Sequence, residues 1–73
     1  MIYREQHFWS PTLGLDAVRL SIGDGRGGEF FVIVPREDAG KRWRERREQL
    51  LDALGEAIER GDEPGEVRYE DAA

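Results

Sequence analysis

Few side chains in this sequence are of the types that perform chemistry. The single imidazole is His7, and the hydroxyl groups that could serve as nucleophiles are Ser10, Thr12 and Ser21. A nucleophile needs an adjacent base and a group that orients the base, and no nucleophile-elbow pattern is present. The paired carboxylates at 37–38 and 62–63 lie in segments typical of solvated groups. We therefore expect no catalytic site and predict that the chain is not an enzyme.

The residue types that hold metals and nucleotides are also scarce. There is no cysteine and only one histidine, so neither a thiolate site nor a His-rich cluster is expected. The glycine-rich segment 23–28 lacks both the following helix and the Lys-Ser/Thr pair of a phosphate-binding loop. We expect no metal and no cofactor, and we predict that segment 23–28 is a hairpin turn.

The most unusual local feature is a block of five cations in residues 41–47, at the start of a predicted helix. Positive charge at a helix N-terminus interacts unfavourably with the helix macrodipole, and each such group costs about 0.3–1 kcal/mol of stability. The block therefore favours a nearby anion: a phosphate backbone, an acid of this chain, or the acidic half of a second copy's helix packed antiparallel. A solvated helical face is the alternative. The candidate partner-binding residues of the helix are Arg42, Trp43, Arg44, Arg46, Arg47, Glu48 and Asp52.

The pattern along the chain predicts three strands followed by one helix. Segments 2–9, 16–22 and 29–34 are rich in β-favouring residues and are separated by breaks that contain proline and glycine. Apolar residues then recur at helical spacing, which predicts a helix over about 38–60. The expected fold is α+β, with a three-stranded antiparallel sheet in β-β-β-α order and one C-terminal amphipathic helix packed on one face.

The ends of the helix have their own signals. Asp38 is a suitable N-cap, and Gly61 suits the position that ends a helix. Gly55 lies close to the apolar stripe, where we expect it to allow close approach of a strand or helix. We predict that residues 1–61 form a single domain and that the acidic residues 62–73 form a disordered tail.

The third strand is apolar on both of its faces. Phe31 and Ile33 point one way, whereas Phe30, Val32 and Val34 point the other. One helix covers only one face, and monomeric proteins rarely leave such a patch unused. We assign Phe30, Val32 and Val34 to the face without a helix. That face is covered by another segment of the chain, packs on its copy in a homodimer, or binds nucleic acid or another protein.

Charge and composition favour a protein partner. The net charge is −5, and residues 48–73 carry nine acids against Arg60 and Arg68. An acidic surface repels nucleic acid or imitates it toward a basic protein. No run of about 18 apolar residues, no cysteine and no export pattern is present, which favours a cytoplasmic protein that binds no membrane. The leading hypothesis is a homodimeric interaction module that binds a protein partner, such as a phage- or mobile-element-encoded inhibitor of a nucleic-acid-processing protein.

The alternative is a single-stranded nucleic-acid binder. The segments 18–22 and 27–33, followed by the helical segment 50–54, resemble PUR-type repeats. Those are sheet-plus-helix units that bind single-stranded nucleic acid and pair into dimers. The resemblance covers about half of the chain. The chain shows no clear fourth strand, and its net charge of −5 is opposite in sign to the charge that suits binding to nucleic acid. In this hypothesis bases stack on aromatic side chains and arginines hold phosphates, the candidates being Trp9, Phe30, Trp43, Arg42, Arg44, Arg46 and Arg47.

Overall fold

The computed structural model describes residues 2–36 and 42–68 of the chain. Its elements are β1 (Arg4–Ser10), β2 (Leu15–Gly23), β3 (Glu29–Pro35), α1 (Trp43–Arg60) and β4 (Gly65–Glu66). The strands form one sheet in the order β1-β2-β3-β4. Neighbours are antiparallel as far as β3, whereas β4 runs parallel to β3. The α+β class is confirmed, but the three-stranded antiparallel sheet in β-β-β-α order is wrong, because a parallel strand follows the helix.

Strand β4 is short, and only four residues separate it from the end of α1. Its Gly65 and Glu66 pair with Phe30 and Phe31, and the Val67 N–H then donates to the Phe31 carbonyl at 2.7 Å. Val67 also packs against the core. The ordered fold therefore extends beyond the boundary predicted at residue 61. Residues 69–73 of the predicted tail lie outside the described residues.

The two ends of α1 differ in how well they are capped. The helix begins at Trp43, and Arg42 occupies the N-cap position without a side-chain capping hydrogen bond. The expected cap, Asp38, lies outside the described residues. At the other end Gly61 adopts the predicted left-handed conformation, with φ of 77°. The Gly61 and Asp62 N–H groups donate to the carbonyls of Ile58 and Ala57, both at 3.1 Å, which is a Schellman motif.

The loop between β2 and β3 is the predicted hairpin turn. Asp24 organises it, because its Oδ1 accepts hydrogen bonds from the backbone N–H groups of Arg26 at 2.7 Å and Gly28 at 2.9 Å. These two hydrogen bonds lower the pKa of Asp24 below its ordinary value. The Asp24 N–H donates in turn to the Gly28 carbonyl at 3.0 Å, which closes the loop. The loop thereby fixes which residues of β2 and β3 stand opposite each other.

The core lies between α1 and one face of the sheet. The apolar stripe of the helix is confirmed: Leu50, Leu54 and Ala57 are buried, and Trp43, Leu51 and Ile58 pack around them. Gly55 differs from expectation, because a Cβ built on it would meet nothing within 4 Å. No close approach therefore requires a glycine at that position. The sheet contributes the other half of the core through Val18, Leu20, Ile22, Phe30, Val32 and Val34.

Candidate protein-binding surface

The helix covers the face of β3 that the sequence analysis assigned to a partner. Phe30, Val32 and Val34 are only 2%, 4% and 6% exposed. Each stands opposite an apolar residue of β2, namely Ile22, Leu20 and Val18, so the two strands present one continuous apolar layer to α1. The opposite face of β2 carries Arg19 and Ser21 in the alternate positions. The choice of face is therefore corrected: Phe31 and Ile33 lie on the side without a helix.

We define the open face as the side chains of the sheet that point away from α1. Ala17 of the middle strand β2 lies between Phe8 of β1 and Pro35 of β3. Two residues further along β2, Arg19 lies between Gln6 and Ile33. Arg4 and Phe31 flank Ser21, and Glu66 of β4 stands beside Phe31. Leu15 and Glu29 lie at opposite ends of the same face. Its apolar members are Phe8, Leu15, Ala17, Phe31, Ile33 and Pro35.

Arg19 contacts two other side chains of the open face. Its guanidinium is 4.3 Å from the centroid of the Phe31 ring, and its Nη2 is 2.6 Å from Glu29 Oε1. The cation–π contact is worth about 0.5–1 kcal/mol at a partly exposed site. Because Glu29 neutralises the charge, the guanidinium extends the flat aromatic surface instead of presenting a free cation.

A second group of interacting side chains connects β1 to the basic end of α1. We call Glu5, His7, Trp43 and Arg47 the Glu5 cluster. Arg47 Nε donates to Glu5 Oε1 at 2.9 Å, and His7 Nε2 donates to Glu5 Oε2 at 2.9 Å. The Arg47 guanidinium also lies 5.5 Å from the centroid of the Trp43 ring. One anion near the basic block is therefore an acid of this chain, which was one of the alternatives open from the sequence.

The surroundings of Glu5 stabilise its charged form. Burial raises the pKa of Glu5, but the hydrogen bond from His7 and the positive charge of Arg47 outweigh burial and hold the pKa below 4.5. The indole N–H of Trp43 lowers the pKa as well. Nevertheless, Trp43 Nε1 is buried without a partner at hydrogen-bond geometry among the described residues. We therefore assign the stabilisation of the charged form to His7 and Arg47, whose nitrogens both lie 2.9 Å from carboxylate oxygens of Glu5.

The seven predicted partner-binding residues of the helix do not form one surface. Trp43, Arg46 and Arg47 are half-buried on the side of α1 that faces the sheet. The exposed members are Arg42, Arg44, Glu48 and Asp52. Trp9, a candidate for stacking, is 60% exposed but lies on the helix side of β1, away from the open face.

Sequence reasoning missed the contributions of β1 and β2 to the open face. Phe8, Arg19 and Pro35 were not singled out, although Phe8 is 36% exposed beside the apolar half of that face. The signal was present in the alternation of β2: once Val18, Leu20 and Ile22 are assigned to the core, Arg19 must face away from it. Every residue that pairs with Arg19 then shares its face.

Comparison with known proteins adds no relative. Neither the family models nor the curated proteins nor the solved structures gave a significant match to this chain. Within residues 2–36 and 42–68, no helix has the length and apolarity that a membrane crossing requires. The same residues contain no group of three or more metal-ligating side chains placed to hold an ion.

Proposed function

We propose that this chain is a non-enzymatic binding module whose open face docks a protein partner. The observation that carries the proposal is a group of apolar side chains on the sheet face that α1 does not cover. Phe8, Phe31 and Ile33 lie on that face, and the helix of the described residues packs on the other side of the sheet. Phe8 is exposed and Phe31 and Ile33 are half-buried, and apolar surface that stays accessible in this way supports an interaction site.

The charges of the open face favour a protein over a nucleic acid. Its ionised side chains are Arg4, Arg19, Glu29 and Glu66, two of each sign. Arg19 is already paired with Glu29 at 2.6 Å. Binding to a phosphate backbone rests on an excess of free cations, whereas a protein interface has an aromatic and apolar centre with a polar rim. The open face matches the second description.

The wider identity of the module is part of the same proposal. The acidic charge of residues 48–73 supports a basic partner, such as a nucleic-acid-processing protein. In that case this chain would be a phage- or mobile-element-encoded inhibitor of the partner. A cysteine-free composition supports a cytoplasmic location. The small size of a domain without disulfides supports a homodimer as its working form.

Site-specific photo-cross-linking in the native host tests the docking surface. A photoreactive side chain is placed at Ile33 on the open face or, as the control, at Gln49, which is exposed on α1. We expect discrete adducts with one protein at position 33 and none with that protein at position 49. Adducts with the same protein at position 49 alone, or no protein adduct at position 33, would contradict the proposal.

A single-stranded nucleic acid is the second candidate occupant of the open face. The observation that favours it is the presence of two aromatic rings, Phe8 and Phe31, together with Arg4 and Arg19. Base stacking on such rings is worth about 1–3 kcal/mol per base. Fluorescence anisotropy with labelled oligonucleotides at low salt separates the candidates. Binding that weakens steeply with salt and is lost in Phe31→Ala would favour nucleic acid, and we expect no binding.

A further inference from the structure

The outer edge of β1 is an unprotected sheet edge. β1 pairs with β2 alone, and no described strand lies on its other side. Its seven residues pair with β2 without a bulge from Arg4 to Ser10, and it contains no proline. Natural sheets protect such edges with bulges, prolines, very short strands, charged side chains or a covering segment. Of these devices the described residues of β1 show only charges, Arg4 and Glu5, and the Glu5 charge is already paired with Arg47, so the backbone groups of β1 are available for another strand.

Exposed apolar side chains are concentrated at the same edge. The large apolar side chains that the described residues expose are Ile2, Tyr3, Phe8, Trp9 and Leu13. All of them except Leu13 lie in β1 or directly before it. The helix does not cover them, since α1 packs over β2 and β3. An edge strand with exposed aromatic residues on both of its faces is suited to adding a strand and burying them.

From these features we infer that β1 pairs with β1 of a second copy in antiparallel orientation, with Gln6 at the two-fold axis. Such an axis is perpendicular to the sheet, so a residue stands opposite one that points to the same face. With Gln6 on the axis, Glu5 faces His7 of the second copy. Arg4 then faces Phe8, and Tyr3 faces Trp9. Each is an attractive cross-strand combination: opposite charges, a cation with a ring, and two aromatic rings.

Neighbouring registers are less complementary. An axis at Glu5 places the two Glu5 carboxylates opposite each other, which is destabilising. An axis at His7 sets Glu5 opposite Trp9 and Arg4 opposite Ser10, without the ionic and cation–ring pairs. Glu5 already accepts hydrogen bonds from His7 and Arg47 of its own chain. Its carboxylate oxygens can accept a further hydrogen bond, so His7 of the second copy can also donate to it. The register centred on Gln6 is therefore the one that the side chains specify.

The dimer would form one eight-stranded sheet with both helices on the same side and the two open faces joined on the other. This inference rests on the homodimer of the proposed function and gives it an interface. A monomer in solution would remove both the edge pairing and the homodimer, whereas protein docking on the open face would still stand on its own test.

Single cysteines test the register, because the chain has no cysteine of its own. Paired residues of antiparallel strands have Cα atoms about 4.5–5.5 Å apart, within the range of about 4.4–6.8 Å that a disulfide spans. Gln6→Cys is compared with Thr12→Cys in an exposed turn and with Ile33→Cys on the open face. Disulfide-linked dimers are followed on non-reducing gels under mild oxidation at micromolar concentration.

We expect Gln6→Cys to cross-link at least about tenfold faster than either control, because pairing raises the effective concentration of the second thiol. Sedimentation of the wild type is expected to give twice the 8.4 kDa mass of one chain. Gln6→Glu, which sets two carboxylates opposite each other at the axis and leaves the Glu5 cluster intact, is expected to shift that mass to the monomer while the cooperative thermal transition remains. Equal rates for Gln6→Cys and Thr12→Cys, or fastest cross-linking of Ile33→Cys, would overturn the inference.

Discussion

Glu5 connects the edge strand β1 to the start of α1. Its carboxylate accepts hydrogen bonds from Arg47 of α1 and from His7 of β1, both at 2.9 Å. Arg47 in turn lies near the ring of Trp43, which packs against the core. The first turns of α1 lack a side-chain cap. The ion pair therefore holds an end of the helix that its own sequence leaves weakly fixed.

We predict that Glu5→Gln lowers the free energy of unfolding by about 0.5–1 kcal/mol at pH 7, the range of a partly exposed ion pair. The pKa of Glu5 is lowered in the folded state. The stabilisation by the charged form is therefore fully present above about pH 4.5 and is lost as the pH falls through the folded-state pKa. Denaturant unfolding at pH 7 and pH 3 measures the difference between wild type and variant at each pH.

The matched control for this prediction is Glu48→Gln, which removes an exposed carboxylate from α1. It is expected to change the free energy of unfolding by less than the Glu5 substitution at pH 7. The gap between wild type and Glu5→Gln should narrow as the pH falls from 7 to 3. A gap that widens as the pH falls would contradict the stabilising role of the charged carboxylate.

Among the elements, β3 shows what the sequence leaves undecided. Its composition predicted a strand that is apolar on both sides, and the structure confirms the strand. Which side meets the helix depends on the pairing with β2, and the length of the loop 24–28 sets that pairing. A register shifted by one residue would have put Phe31 and Ile33 opposite the core residues of β2. The composition of β3 alone therefore does not determine which of its faces packs on α1; the register with β2 does.

A pair of neighbouring substitutions on β3 tests the two faces. Val32→Glu places a carboxylate in the core beneath α1, and we expect a loss on the order of 4 kcal/mol, close to the whole stability of a small domain. Ile33→Glu places the same group opposite Arg19, where a cross-strand ion pair is available. Thermal unfolding followed by circular dichroism should show a cooperative transition for Ile33→Glu only. If Val32→Glu kept the cooperative transition and Ile33→Glu lost it, then Ile33, and not Val32, would lie in the core beneath α1.

The helix offers a prediction of increased stability. Gly55 lies inside α1, and a Cβ there would meet nothing within 4 Å. Gly55→Ala is therefore expected to add about 0.5–1 kcal/mol to the free energy of unfolding, and to raise Tm by about 4–8 °C per kcal/mol in a domain of this size. Gly61→Ala is the control, since its φ of 77° strains any residue with a Cβ. A lower Tm for Gly55→Ala would show an unseen close contact.

The end of the chain was harder to predict than its middle. The apolar stripe of α1 and the glycine that ends it were both readable from spacing and residue type. Strand β4 was not, because two residues carry no alternation and Gly65 has low intrinsic strand preference. Only the direction in which the Schellman motif sends the chain brings residues 65–67 back to β3. That information belongs to the folded structure.

At the scale of the molecule, function depends on the surfaces that the fold leaves uncovered. In the part of the chain that the structure describes, α1 packs on one face of the four-stranded sheet and leaves the other face without a helix. The outer edge of β1 has no partner strand among the same residues. Composition and charge predict a binding module, and the docking surface that we propose for it lies at Phe8, Phe31 and Ile33.

The measurement that tests the docking surface most directly is the affinity of the isolated partner, captured at position 33, for three forms of the chain. The forms are the wild type, Ile33→Glu on the open face and Gln49→Glu on the exposed side of α1, which carry the same added charge. We predict that Ile33→Glu raises Kd at least about tenfold, or about 1.4 kcal/mol, and that Gln49→Glu leaves it unchanged. Equal Kd values for all three forms would contradict a docking role for the open face.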